Sequence, residues 1–315
     1  MAPEAQVEWE ARAGRLAAAA AFGAAVLPLV GQILSTPTRQ REEGRETADY
    51  LIGLDDESTR VMAGTVIQAI GFLLLPVVFW YLYRCLKPRH AGFPRAALIA
   101  GIAGPVVFAV VTVLTQLDRI DVAQDFVSSG PIEGVGDEAL EERADDATDD
   151  QSSTLTWFGL AGSLTTAIAF VITSLNAMRV GLMSRFMGTI GIIIGVLYVF
   201  FFLGGPQVIQ LFWLAALGFL FLGRWPGGRG PAWESGEAVP WPSAAEQRLA
   251  AERARLEEED VTGSDGHGDL ERATTDPDTP READVPRDVD TPRGVDTPRE
   301  EGHPRSKKRK RKRRR

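Results

Sequence analysis

Residues 66–83 read VIQAIGFLLLPVVFWYLY, and the next twelve, 84–95, read RCLKPRHAGFPR. The first stretch contains no Asp, Glu, Lys or Arg. A helix at the surface of a soluble protein keeps a polar stripe along one face, and this run has none. Extended back to residue 62, it reaches the roughly 20 residues that a helix needs to cross a bilayer. The second stretch holds Arg84, Lys87, Arg89 and Arg95 and no acid. Positive charge beside a span resists translocation, so such loops stay on the cytoplasmic side.

Five more runs match this pattern, at about 16–35, 96–117, 154–176, 186–204 and 207–224. Their cores carry no charged residue, and Gly204-Gly205-Pro206 separates the last two by a tight break. The expected fold is an all-α polytopic membrane bundle of six transmembrane helices over 16–225, with a disordered C-terminal tail. The mean hydropathy, close to zero, hides this division because residues 226–315 are charged and rich in Pro and Gly.

The loops alternate in charge. The loop after the fourth run holds Arg179 and Arg185 without an acid, whereas loop 36–61 carries seven acids against four arginines and loop 118–153 twelve against two. Basic residues set orientation, so the expectation is a bacterial inner (plasma) membrane protein with residues 1–15 and the tail both cytoplasmic and the acidic loops outside. Trp80, Tyr81, Tyr83 and Trp225 fall where interfacial anchors belong. Arg12 and Arg15 before an alanine-rich run also resemble a signal peptide. No clear small-x-small cleavage site follows, and cleavage would leave five spans.

Composition excludes several chemistries. A single cysteine, Cys85, permits no intrachain disulfide and no thiolate metal cluster. His90, His267 and His303 lie far apart and outside the apolar runs, so no Ser-His pair forms around Ser163. Asp145, Asp146, Asp149 and Asp150 lack the spacing of a calcium loop. No catalytic residue, cofactor or metal site is expected, and a non-enzymatic role follows.

The polar residues within the runs are neutral: Gln68, Gln116, Thr165, Thr166, Thr173, Asn176 and Gln210. Hydrogen bonds between neighbouring helices, worth about 0.6–2 kcal/mol each, are the default use of such groups. The sharper alternative makes Gln68, Gln116 and Asn176 the lining of a path for a small neutral solute. Ser184, Gly188, Gly191 and Gly195 form a small-residue stripe that lets two backbones approach closely, within the bundle or in a homodimer. In loop 36–61, Tyr50, Leu51, Ile52 and Leu54 supply apolar surface that suits the outer interface.

Two stretches carry a resemblance: NAMRVGLMSRFMG at 176–188, and GRWPGGRGPAW at 223–233 followed by PWPS at 240–243. They are similar to segments of uncharacterised multipass bacterial membrane proteins, mainly over the last three runs and the join to the tail. That resemblance implies a bacterial membrane protein and transfers no functional residue.

The tail begins with Trp233 and Trp241 placed to rest at the interface, then a Ser243-x-x-Glu246 capping box opening a solvated helix at 244–259. Four hexapeptide repeats follow over 278–301, each with Pro at its third position, a composition that buries almost nothing. Residues 257–301 hold sixteen acids and five arginines, a net of minus eleven, whereas 305–315 end in Lys307, Lys308, Arg309, Lys310, Arg311, Lys312, Arg313, Arg314 and Arg315. Beside a membrane, each such cation gains about 1 kcal/mol from anionic phospholipid. Nucleic acid or ribosomal RNA competes through the same phosphate chemistry, without base specificity. The functional expectation is an interaction or scaffold protein acting through this polybasic end; the alternative is a permease or channel for a small neutral solute.

Overall fold

The computed structural model describes residues 3–149, 153–200, 207–226, 228–241, 246 and 248–256. The repeats at 278–301, the polybasic end Lys307–Arg315 and Ser243 lie outside the described residues. The chain divides into two units, Met1–Leu249 and Ala250–Arg315. In the second, residues 250–256 are helical and exposed, Leu256 included, as a solvated helix requires.

The described residues of the first unit are helical throughout their regular structure: α1 (Pro3–Leu34), α2 (Glu46–Asp56), α3 (Ser58–Arg89), α4 (Arg95–Ser128), α5 (Asp137–Asp149), α6 (Ser153–Arg179), α7 (Arg185–Val199), α8 (Gln207–Phe221) and α9 (Pro231–Ser235). Four of these, α1, α3, α4 and α6, are long and apolar enough to cross a membrane. Their outward faces carry Leu16, Ile33, Ile70, Ile99, Val110 and Phe158 in the open. Apolar surface that extensive is unstable in water and suits lipid, so the protein is membrane-embedded.

The helices α7 and α8 are equally apolar but have 15 residues each, about 22 Å at 1.5 Å per residue. A bilayer core is about 30 Å thick. The expected runs at 186–204 and 207–224 thus yield described helices shorter than the four long ones.

Neighbour packing forms a ring: α1 on α3, α3 on α4, α4 on α6, α6 on α7, α7 on α8, and α8 back on α1. Close approach of α1 and α3 depends on glycine. A Cβ on Gly31 would lie 2.5 Å from the Gln68 nitrogen and one on Gly64 2.5 Å from the Ser35 nitrogen, whereas Gly71 accommodates the Pro28 ring. The stripe at 188, 191 and 195 faces α6, where added Cβ atoms would meet Met178, Ser174 and the Ala167 carbonyl. Ser184 is instead the N-cap of α7, accepting from the Met187 N–H at 3.3 Å.

The acidic loops are more ordered than expected. Leu51, Ile52 and Leu54 of α2 do not rest on lipid; they are buried with Ile120 and Phe126 of α4 and Leu140 and Ala144 of α5 in a second small core. This cap forms because α4, with 34 residues, is about 51 Å long and outruns the bilayer. Two carboxylates pin α2. Glu141 of α5 accepts from the Thr47 and Ala48 N–H groups at 2.8 and 3.0 Å, filling the unpaired donors at a helix start. Asp49 accepts from Arg39 and from the Glu42 N–H, both at 3.0 Å.

Candidate functional site

Two polar features stand at opposite ends of the ring. At the end where α1 begins and α3 finishes, α1 extends far beyond the expected run, starting at Pro3 rather than residue 16. That extension carries Glu10 inward against Arg89, and both side chains are buried. Arg89 donates to both Glu10 carboxylate oxygens, to the Cys85 carbonyl at 2.8 Å and to the Ala232 carbonyl at 2.6 Å. Gln6 donates to Glu10 at 2.8 Å and to the Arg84 carbonyl at 3.2 Å, and Tyr81 donates to the Glu10 carbonyl at 3.0 Å. Every charge in the group has a partner of opposite sign or a carbonyl, the condition for burying charge.

The segment after α8 closes over this group. Trp233 and Tyr81, expected at the lipid interface, are both buried. The two rings stack at 6.2 Å, and the Trp233 indole donates to the Leu182 carbonyl at 2.8 Å. Gly181, at φ 83, allows the chain at Val239 to lie against the α6–α7 turn; a Cβ there would sit 1.8 Å from the Val239 carbonyl oxygen. This end is a structural clasp in which Glu10, Arg89, Tyr81 and Trp233 tie separate elements together.

The other end holds a cavity of about 810 Å³ under the α2–α5 cap. Beside it, the Tyr198 carbonyl near the end of α7 accepts from Ser163, ten residues into α6. Gln32 and Thr36 from α1 and its exit, Gln68 and Phe72 from α3, and Phe108, Thr112, Thr115 and Gln116 from α4 contribute to the lining, together with Gly159, Tyr198 and Gln210. Arg41, Tyr50 and Arg119 also border an adjoining recess of about 460 Å³ that includes Glu46.

Thus two of the three expected lining residues, Gln68 and Gln116, meet in one cavity. Asn176 does not; it lies at the far end of α6 and donates to the Ile172 carbonyl at 2.7 Å. Gln32 and Gln210, in the cavity, are not among the three expected, although both are glutamines in apolar runs. Gln68 donates to Gln32 at 3.1 Å and Tyr198 to Gln210 at 2.8 Å. Gln116 differs: it is buried, and its amide nitrogen has no acceptor among the described residues. Such a donor costs about 1–3 kcal/mol unless something fills it.

No curated protein and no solved structure matches the chain. A family model described as a domain of unknown function, DUF4386, matches residues 16–225, which include all four long helices except the first part of α1. The cavity lining and Arg89 fall within that match, whereas Glu10 and Trp233 lie outside it. With the match covering more than half of its length, the chain belongs to the DUF4386 family.

Proposed function

We propose that this protein binds a small solute in the cavity between α1, α3, α4 and α6, in the manner of a membrane receptor or permease open at the α2–α5 end. The single observation that carries this reading is a roomy cavity of about 810 Å³ in whose wall Gln68 and Gln116, from two different helices, come together. The lining mixes aromatic and aliphatic side chains with many hydroxyl and amide groups, which suits a small molecule with polar as well as apolar parts. In this reading six helices sit in a bacterial inner membrane with both termini cytoplasmic, supported by the basic loops at 84–95 and 177–185.

Cys85 is the sole cysteine and is buried, so the chain is nearly silent toward thiol reagents. Thr115→Cys in the lining should react with a membrane-impermeant maleimide added outside intact cells. No reaction there, with labelling of a Cys placed at exposed Glu43 in the same loop face, removes the open cavity.

A second reading rests on the nine consecutive cations Lys307–Arg315. We propose that they hold the tail to anionic phospholipid, or to another polyanion, independently of the cavity. A peptide of residues 257–315 should bind phosphatidylglycerol vesicles in a salt-sensitive manner, and one ending at Arg305 should not. Equal binding by the shorter peptide ends that reading.

A further inference from the structure

The acidic loops hold six arginines, Arg39, Arg41, Arg45, Arg60, Arg119 and Arg143. Three are engaged with carboxylates: Arg39 with Asp49, Arg45 with Asp49 and Asp137, and Arg60 with Glu57. Arg143 lies over the Phe126 ring and donates to the Pro131 carbonyl at 3.3 Å. Arg41 and Arg119 remain. Neither has an ion pair or hydrogen bond among the described residues, and Arg41 only stacks over Tyr50 at 5.0 Å. These same two border the cavity mouth. Among the described residues, these two guanidinium groups at one opening hold no carboxylate, and guanidinium planes match carboxylate and phosphate oxygens.

The inner wall changes character with depth. Along α4, Arg119, Gln116, Thr112 and Phe108 succeed one another at helical spacing over residues 108–119, about 16 Å from first to last. Charge gives way to amide, then hydroxyl, then aromatic ring. Phe72 of α3 lies edge-on to Phe108 at 4.8 Å at the apolar end. We infer that the ligand is an amphiphile with a single anionic end, its charge held by Arg41 and Arg119 and its apolar body running inward past Gln116. This rests on the cavity being a ligand site, and it replaces the neutral solute expected from the spans alone. Glu46 lines the adjoining recess and opposes the anion.

Octanoate and its neutral isostere octanamide test this on the full-length protein in phosphatidylcholine nanodiscs, with binding to empty discs subtracted. Octanoate should bind at least about tenfold more tightly than octanamide. The double variant R41Q/R119Q should bring the two probes within about twofold, and E46Q should tighten octanoate alone. Equal binding of both probes to the wild type overturns the anionic end and leaves the cavity reading intact. Binding of neither, while Thr115→Cys still reacts with maleimide, also overturns this inference alone; loss of that labelling as well removes both. Native mass spectrometry of the protein from discs containing phosphatidylglycerol distinguishes the source of the anion. Lipid retained by the wild type and lost from R41Q/R119Q identifies a leaflet lipid, and octanoate binding without retained lipid identifies a soluble acid.

Discussion

Glu10 and Arg89 are 79 residues apart in sequence, yet their side chains form an ion pair exposed by 1 and 0 %. The pair ties the start of α1 to the end of α3, and its third partner, the Ala232 carbonyl, adds the segment beyond α8. Removing one member strands the other without water. Glu10→Ala or Arg89→Ala should therefore cost about 3–5 kcal/mol, whereas Glu10→Met/Arg89→Met should cost far less than the sum. Thermal unfolding in detergent, run as a double-mutant cycle, measures this; additive losses would show that the two residues act separately.

The cap should detach in acid before the ring does. Glu57 is pushed down to about 2, first by the Thr38 hydroxyl and then by Arg60 and the Thr38 N–H. Burial works to raise Asp49 and Glu141, but the Glu42 N–H with Arg39 holds the former below its ordinary value, and the Ala48 and Thr47 N–H groups hold the latter below its own. A carboxylate with a lowered folded pKa stabilises fully above its unfolded value and loses that contribution as pH falls through the folded one. The stabilisation is therefore complete above about pH 4.5 and declines toward about pH 2. Hydrogen exchange of 46–56 and 137–149 should accelerate across that window while 96–110 stays protected. Glu141→Gln, tested at neutral pH, should show part of the same acceleration.

The legible part of this fold was its apolar length. Uncharged runs revealed the four long helices because a bilayer demands a continuous greasy surface, and the stripe at 188, 191 and 195 was recognisable because only small side chains permit that approach. Helix ends were not legible. Glu10 and Arg89 fall in charged flanks that read as solvent, and only their partnership across 79 residues makes them interior. Trp233 and Tyr81 were read as interface anchors because an amphipathic ring suits both places; the decision came from α9 folding back over Arg89. The cavity was half legible. Gln68 and Gln116 are conspicuous in apolar runs, but so is Asn176, and sequence contains no measure of depth or facing. Arg41 and Arg119 stand out only once Arg39, Arg45 and Arg60 are seen to hold carboxylates.

Gly64 permits the α1–α3 crossing, and its replacement should be felt in the cavity. Its Cβ would lie 2.5 Å from the Ser35 nitrogen and 2.7 Å from the Leu34 carbonyl carbon, both backbone atoms that cannot swing aside. Gly64→Leu should drive the helices apart, part Gln32 from Gln68, and lower stability by about 1–3 kcal/mol through overpacking. By contrast Gly159→Ala, whose nearest neighbour would be a Val111 methyl at an ordinary 3.4 Å, should leave the melting temperature unchanged. Similar losses from both would mean that the crossing is loose.

Gln116 should show what a donor without a partner costs this wall. Among the described residues its buried amide nitrogen has no acceptor, an arrangement that costs about 1–3 kcal/mol. Gln116→Leu removes that donor at similar volume in a wall already built from Phe108 and Val111. The variant should melt at a higher temperature than the wild type and should bind octanoate at least as tightly, because the apolar body that passes this wall offers an amide no acceptor. Scanning calorimetry and titration on the same nanodisc preparation give both numbers. A variant that melts lower would mean that Gln116 is packed as a strut, and one that binds octanoate several-fold more weakly would mean that the anionic end, not the apolar body, lies at this depth.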